Sequence, residues 1–409
     1  MRSFYNEAMH YSLRIFTLLL LLLVLAVFLA TRFVPGLQIS SFAVIFNSIS
    51  GAGSPETSHR IADSLVITPG LQLTVFADNL TRPRILKTAP HGQLLVSSPP
   101  TGSIILLADT NSDGQADNNR VILSNLKRPH GIEIFDDGNT SWLYVAETNA
   151  VGRVAMDWTS GEPVGDYQRL ITDLPPGGGH WTRSIRFGPD GLLYLTVGSS
   201  CNVCEESDPR RAAMMRYQPD GSGEEIIATG LRNSVGFDWT PWSNQLYATD
   251  NGRDMLGDHF PPCELNLIQA GGFYGWPYIN GFGKLDPDLG QGKESLLTSS
   301  LSPSYGFPAH NAPLGIHFMR HSNRPETFQR TALVALHGSW NRSEPDGYKV
   351  VALRWDQQGT ISIKDVLTGF LRQNQQVIGR PVDIEEGLDG SIYISDDYAG
   401  SIYRMLYID

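Results

Sequence analysis

Asp190-Gly-Leu-Leu-Tyr-Leu-Thr196 is a turn signal followed by a short apolar strand and a polar exit. The phrase returns as Gly92-Gln-Leu-Leu-Val96, Trp142-Leu-Tyr-Val-Ala146, Asn244-Gln-Leu-Tyr-Ala-Thr249, Ala332-Leu-Val-Ala-Leu336 and Asp389-Gly-Ser-Ile-Tyr-Ile-Ser395. Self-similarity at a fixed period marks a repeat architecture, and a spacing of roughly fifty residues is that of one four-stranded propeller blade. The echoes predict an all-β, six-bladed β-propeller of four-stranded blades, with candidate site residues at the mouth of its central channel. The runs Ser64-Leu-Val-Ile67 and Leu71-Gln-Leu-Thr-Val-Phe-Ala77 are expected to complete the blade begun by the C-terminal strands, so that no edge is left open.

Bulk properties agree with this fold. Hydrophobic residues make up 41 % of the 409-residue chain and charged ones 18 %, a composition that can bury a core. The 41 Gly and 25 Pro show no collagen-like period and suit many short strands joined by tight turns. A net charge of -11 argues against nucleic acid, whose phosphates need Lys and Arg.

The other clear signal is N-terminal. Ile15 to Thr31 is uncharged and mostly Leu, Val, Phe and Ala, with Arg2 and Arg14 before it and Arg32 after. A stretch of about 17 to 25 apolar residues can cross a bilayer. Residues 1–14 then read as a cytoplasmic segment and 15–34 as one transmembrane signal anchor, with a cleaved signal peptide as the alternative; Phe28 spoils the small-x-small pattern a cleavage site would need. Residues 35–60 read as a linker, Ser48 to Arg60 being a Ser/Gly/Pro-rich tether, and 61–409 as the propeller. The expected location is a single-pass membrane protein with its propeller on the periplasmic or extracellular side. In that compartment Cys201-Asn-Val-Cys204 reads as a loop-stapling disulfide candidate rather than a zinc or thioredoxin motif.

Several residue groups could carry chemistry. Asp109-Thr-Asn111-Ser-Asp113-Gly-Gln-Ala-Asp117 matches the front of a calcium loop, with Arg120 where a bidentate Glu is expected; an Asx-turn cluster is the alternative. His180 follows a glycine run and precedes an inner-strand pattern, which suits either a general base at the channel mouth or a loop His held by a carbonyl. Arg232-Asn233 fits an anionic planar ligand or a blade-to-blade salt bridge. Backbone carbonyls around Gly252 could hold a hard cation. Arg128-Pro-His130-Gly131, His337-Gly-Ser-Trp-Asn-Arg342 and Gly379-Arg380-Pro-Val-Asp383 each set a basic residue beside Pro or Gly near a strand end, on separate blades. The stretch Gly252 to Asn311, rich in Gly, Pro and aromatics, reads as a functional insertion with little strand periodicity.

With these motifs in hand, the chain from about Leu71 to Leu406 resembles the glucose/sorbosone dehydrogenase family, the soluble quinoprotein six-bladed propellers. The resemblance rests on His180 with Arg186-Phe-Gly-Pro-Asp-Gly-Leu-Leu-Tyr194, on Gly230-Leu-Arg-Asn233, on Glu264-Leu-Asn-Leu-Ile268 with Gly271-Gly-Phe-Tyr-Gly-Trp-Pro277, and on the Arg380 segment. Gly198-Ser-Ser-Cys-Asn-Val-Cys204 and His337-Gly-Ser-Trp-Asn-Arg-Ser343 resemble the sorbosone-dehydrogenase-like branch. The resemblance implies pyrroloquinoline quinone over a calcium ion, and oxidation of a sugar or aldehyde hydrate with electrons passed to an external acceptor. It makes His180 the base and Arg232 the stabiliser of quinone charge. Asn233, Arg380, Arg342 and His130 become cofactor contacts, and the carbonyls of Gly252 and Arg253 the calcium ligands. The sequence departs from the glucose enzymes at Arg253, where they carry Pro, at the Ser339–Arg342 segment, where they offer Lys, and beside Arg380, where a second Arg is missing. Two alternatives stand beside this reading: a non-catalytic ligand- or protein-binding propeller, and a calcium-dependent lactonase or hydrolase.

Overall fold

The computed structural model describes residues 53, 54 and 56–408, together with scattered positions between 15 and 29. Six large sheets form a ring. Their innermost strands, Leu86–Thr88, Ile132–Asp136, Arg183–Phe187, Ser234–Trp239, Pro313–Phe318 and Pro381–Glu386, touch in a closed cycle, each meeting the next. These strands define blades 1 to 6 in that order.

Every sequence echo is the second strand of a blade: Leu94–Ser98, Ser141–Glu147, Leu193–Val197, Leu246–Asp250, Thr331–Leu336 and Ile392–Asp396. A strand sandwiched between neighbouring blades is covered on both faces, so it reads as an unbroken apolar run. Leu94–Ser98, Leu193–Val197 and Ile392–Asp396 are buried at every position. Aromatic and aliphatic side chains interlock between blades, as where Phe135 stacks on Phe187 at 4.2 Å and Tyr144 meets Phe187 edge-on.

Blade 6 closes the ring as expected: Leu71–Ala77 pairs antiparallel with Ser401–Tyr407. The other N-terminal run goes elsewhere, since Val66–Ile67 pairs with Leu367 and Thr368 on the outer edge of blade 5. The tether read over residues 48–60 also ends differently. Ser58–Ser64 is a helix whose Ile61 is wholly buried and whose Ser58 hydroxyl meets that of Ser401 at 2.6 Å. One apolar contact per turn was too weak a period to read as helix from sequence. About half of the anchor expected over 15–34 lies outside the described residues. Those described between Ile15 and Leu29 are helical and exposed, and among the described residues no helix is long and apolar enough to cross a membrane.

The segment 252–311 is more regular than its composition suggested. It supplies the third and fourth strands of blade 4, Cys263–Leu267 and Tyr305–Phe307. Between them the chain crosses to blade 3, where Gly272–Phe273 pairs parallel with Ala228–Thr229.

The channel is not open from end to end. At mid-height Ile132, Ile185, Val235 and Ile316 close it to a gap of about 30 Å³. Two separate vestibules result. The one at the ends of the inner strands, about 830 Å³, carries Lys87, Glu133, Arg186, Asp238, His317 and Glu385, one from each blade, alternating in sign around the ring. Lys87 pairs with Glu133 at 2.6 Å, Arg186 with Asp238 at 2.8 Å, and His317 approaches Glu385 at 3.5 Å. Its charges are spent on one another, so this larger cavity is a structural belt.

Candidate active site

The vestibule at the starts of the inner strands has the opposite character. A cavity of about 500 Å³ is lined by Arg82, Arg84, Arg128 and Arg380 with Asp397 as the only carboxylate, together with Trp181, His337 and Tyr398. Its size is that of a small-molecule site. Among the described lining residues, four guanidiniums stand with one carboxylate. His337 does not add to them: burial and then Arg380 push its pKa down to about 4. Arg128 lies 4.0 Å over the Trp181 ring and has no carboxylate partner among the described residues; burial and the neighbouring Arg84 lower its pKa. Clustered like charges in an acidic protein mark a place for an anion.

Each charge is placed by local structure. Arg84 lies just before the first inner strand, and its Nη1 meets Asp397 at 2.7 Å. The same carboxylate takes His337 Nε2 at 2.9 Å. Arg380 donates from Nε and Nη2 to the carbonyls of His337 and Gly338, at 3.1 and 3.0 Å. This leaves Nη1 for a ligand. His130 is fully buried beneath the cavity. Arg84 Nη2 approaches its Nε2 at 3.5 Å, and its ring meets Trp181 edge-on at 5.6 Å. It supports the cavity wall rather than facing the cavity.

His180 precedes Trp181 in the chain and is not itself among the residues lining the cavity. Its Nδ1 lies 2.9 Å from the Ser199 carbonyl and 2.8 Å from the Ser199 hydroxyl, which itself donates to the Cys201 carbonyl at 2.7 Å. The network therefore places the ring proton on Nδ1 and a lone pair on Nε2. Burial first, then the Arg232 charge, lower its pKa to about 3. The two readings of His180 merge: the carbonyl that holds the ring also sets it as a base. The loop is braced from below by two buried arginines. Arg183 donates to the carbonyls of Pro175, His180 and Thr182, and Arg211 to those of Pro175, Pro176, Gly177 and Gly198. Gly198 is required here, since a Cβ would come within 2.5 Å of Asn233 Oδ1 and 2.7 Å of His180 Cβ.

Arg232 and His180 are thus on one side of the molecule, linked where Ser199 N donates to Arg232 O at 2.8 Å. Yet the guanidinium of Arg232 has no donor to spare. Nε reaches Asn202 O, Nη1 the carbonyls of Asn251 and Gly252, and Nη2 Asn202 Oδ1 and Asp254. What it offers the site is a fixed positive charge. Asn233 keeps a buried Oδ1 without a partner, while its N–H donates to Asp250 at 2.6 Å. Arg232, Asn233 and the remaining predicted residues are likewise not among those lining the cavity. The Arg253 side chain turns away to Asp286 and Asp288, and Arg342 donates to the carbonyls of Asp258 and Ala309. Asp109, Asn111, Asp113 and Asp117 gather on the surface as an Asx cluster. Asp109 and Asp117 accept from the loop's own N–H groups, and Asn111 Nδ2 reaches Asp117 at 2.9 Å. Cys201 and Cys204 are disulfide-bonded, and Cys263 is a buried thiol.

The cavity residues fit pyrroloquinoline quinone, a flat tricarboxylate, through the clustered guanidiniums and the Trp181 wall. They do not fit calcium at Gly252 as arranged, because that carbonyl already accepts from Arg232 Nη1 at 2.9 Å and a second cation would crowd the guanidinium. Sequence reasoning missed Arg84, Trp181 and Asp397. A signal was present: Arg82-Pro83, Arg128-Pro129 and Arg380-Pro381 repeat one Arg-Pro pair at the entry to three inner strands.

Known proteins carry the same ring. The holo pyranose dehydrogenase PQQ domain from Coprinopsis cinerea superposes with a TM-score of 0.73 at 20 % identity, over 86 % of this chain and 98 % of that one. The Trichoderma reesei family AA12 enzyme in its iodide structure gives 0.74 at 20 % identity, over 86 % and 99 %. In sequence, the pyrroloquinoline quinone-dependent pyranose dehydrogenase of Coprinopsis cinerea is 24 % identical over 88 % of this chain but 56 % of its own length, so this chain spans just over half of that relative. An uncharacterized protein of Borreliella burgdorferi is 32 % identical over 86 % of this chain and 93 % of its own. The family model described as TrAA12-like matches residues 65–260 and 293–407, leaving out most of the blade 3 crossing. The quinoprotein resemblance read from the motifs is borne out, and the chain belongs to the TrAA12-like family.

Proposed function

We propose that this protein is a pyrroloquinoline quinone-dependent dehydrogenase oxidising an aldose or a sorbosone-like aldehyde hydrate. The observation that carries the reading is a neutral histidine with a free Nε2, set beside a cavity whose excess positive charge matches a tricarboxylate. When bound, the quinone supplies the two-electron acceptor that takes hydride from the sugar carbon. The chain's own residues do the rest. Arg84 and Arg380 hold the carboxylates by charge-assisted bonds, and Trp181 with Arg128 walls the site. His180 Nε2 accepts the hydroxyl proton as the carbon is oxidised. Arg232, fixed nearby, keeps that imidazole unprotonated beforehand and favours negative charge forming in the site. The uncharged run over 15–31 supports a propeller exported and tethered at the membrane, handing its electrons to an external acceptor. A calcium-dependent lactonase would need several carboxylates around one ion, whereas the cavity holds one among four guanidiniums.

The test is titration of the purified chain with the quinone, followed by tryptophan quenching, and then assay of aldoses and aldehydes with a dye acceptor. Micromolar binding and sugar-dependent dye reduction are expected; no binding would end the reading. Because Gly252 is already engaged, a chelator is expected to change quinone affinity by less than about threefold. Arg380→Ala removes one charged donor and is expected to weaken quinone binding about ten- to hundredfold in the same titration. An unchanged affinity would move the carboxylate site elsewhere.

A further inference from the structure

The four-residue ring closed by Cys201 and Cys204 contains Asn202, and Asn202 meets Arg232 twice. Its carbonyl accepts from Nε at 2.9 Å and its Oδ1 from Nη2 at 2.8 Å. The same Oδ1 accepts the Asp254 N–H at 2.8 Å, and Asn202 Nδ2 returns to the Asp254 carbonyl at 3.1 Å. The Asn202 carbonyl also takes Trp276 Nε1 at 3.4 Å. One residue thus ties the Arg232 side chain to the start of the 252–311 segment and to the crossing over blade 3. For the carbonyl and the side-chain oxygen of one residue to face one guanidinium, its backbone must be held, and the disulfide on either side holds it. The ring also reaches His180, because Ser199 Oγ, which meets His180 Nδ1, donates to the Cys201 carbonyl.

We infer that Asn202 is a positioning residue: held in the Cys201–Cys204 ring, it fixes the Arg232 guanidinium against the Asn251 and Gly252 carbonyls beside His180. Opening the ring frees Asn202 and lets Arg232 drift. Both cysteines are half-buried, so a soluble dithiol can reach them. In that step two electrons and two protons pass from dithiothreitol to the disulfide, giving two cysteine thiols and the cyclic disulfide of the reagent. The geometric claim stands alone; its effect on turnover rests on the dehydrogenase reading.

The experiment uses the full chain as wild type, Asn202→Ala, Asn202→Asp, the pair Cys201→Ser with Cys204→Ser, and wild type treated with dithiothreitol. Without quinone, the Arg232 Nε–H resonance is followed by hydrogen exchange, assigned by its loss in Arg232→Lys. Exchange should be at least about tenfold faster in Asn202→Ala, in the serine pair and after reduction, and near wild type in Asn202→Asp, which keeps both acceptors. With quinone and sugar, the same three forms should lose about ten- to hundredfold in kcat. The acid limb of their pH profile should move to higher pH, since Arg232 no longer suppresses protonation of His180, and Asn202→Asp should restore both. Unchanged exchange in Asn202→Ala and after reduction overturns the inference, as does a loss of activity that tracks melting temperature with no shift of the acid limb. If wild type shows the protected resonance but oxidises no sugar, the dehydrogenase reading fails and the positioning of Arg232 stands.

Discussion

Replacing His180 by Ala is expected to lower kcat of the quinone-loaded protein by about two to four orders of magnitude, the usual worth of a general base. The reason is specific to its setting. Ser199 holds Nδ1, so Nε2 carries the only lone pair on the ring. Burial and the Arg232 charge lower its pKa to about 3, so the imidazole is fully neutral above about pH 5 and gains a proton only in strong acid. The sign carries over to stability. Between the unfolded value near 6.5 and the folded value, the unfolded chain binds the extra proton, so His180 destabilises the fold as pH falls through that window. The Ala variant should therefore lose less stability between about pH 6 and pH 4 while losing its activity. Nitrogen spectra of labelled histidine check the premise: a His180 that titrates near 6.5, or carries its proton on Nε2, would remove the basis for both effects.

A second large effect is expected far from the chemistry. Asp238, 1 % exposed, accepts from Arg186, from both Nη atoms of Arg320, and from the N–H groups of Phe318 and Trp239. Burial alone would raise its pKa, but Arg186 and Arg320 outweigh that and hold it well below the usual range. Asp238→Ala strips the partly buried Arg186 of its nearest counter-charge, and breaking a buried pair costs about 3–5 kcal/mol. Denaturant unfolding at pH 7 should show that loss. Less than about 1 kcal/mol would mean that the alternating belt re-pairs around the gap. Since the folded pKa is depressed, the stabilisation is complete above the unfolded value and fades only as the pH falls through the folded one.

The architecture was legible because the echo falls on the strand that every blade buries on both faces, where apolar runs leave their clearest trace. The outer strands were not. Glu162–Ile171 is mostly exposed and polar, and Tyr305–Phe307 is short and lies in a segment rich in Gly and Pro. His180 and Arg232 could be placed together because each lies just before an inner strand, so the ring topology brings them to one mouth. What could not be read was how Arg232 spends its donors. That depends on carbonyls of Asn202, Asn251 and Gly252, and backbone oxygens leave no residue-type signature. The charged belt was hidden for another reason: Lys87, Glu133 and Glu385 lie on short inner strands, where charged residues suggest solvent until their partners are known.

The strand that seals the last blade is the first long strand of the chain, with Leu71 opposite Tyr407. The ring therefore shuts only once Leu71–Ala77 has met Ser401–Tyr407, two strands far apart in the chain. Until then the incomplete arc exposes two raw blade edges, and contacts of such long sequence separation form slowly. Loss of the Ser401–Tyr407 strand would leave not a shorter enzyme but an unlatched one, prone to pair its open edge with another copy.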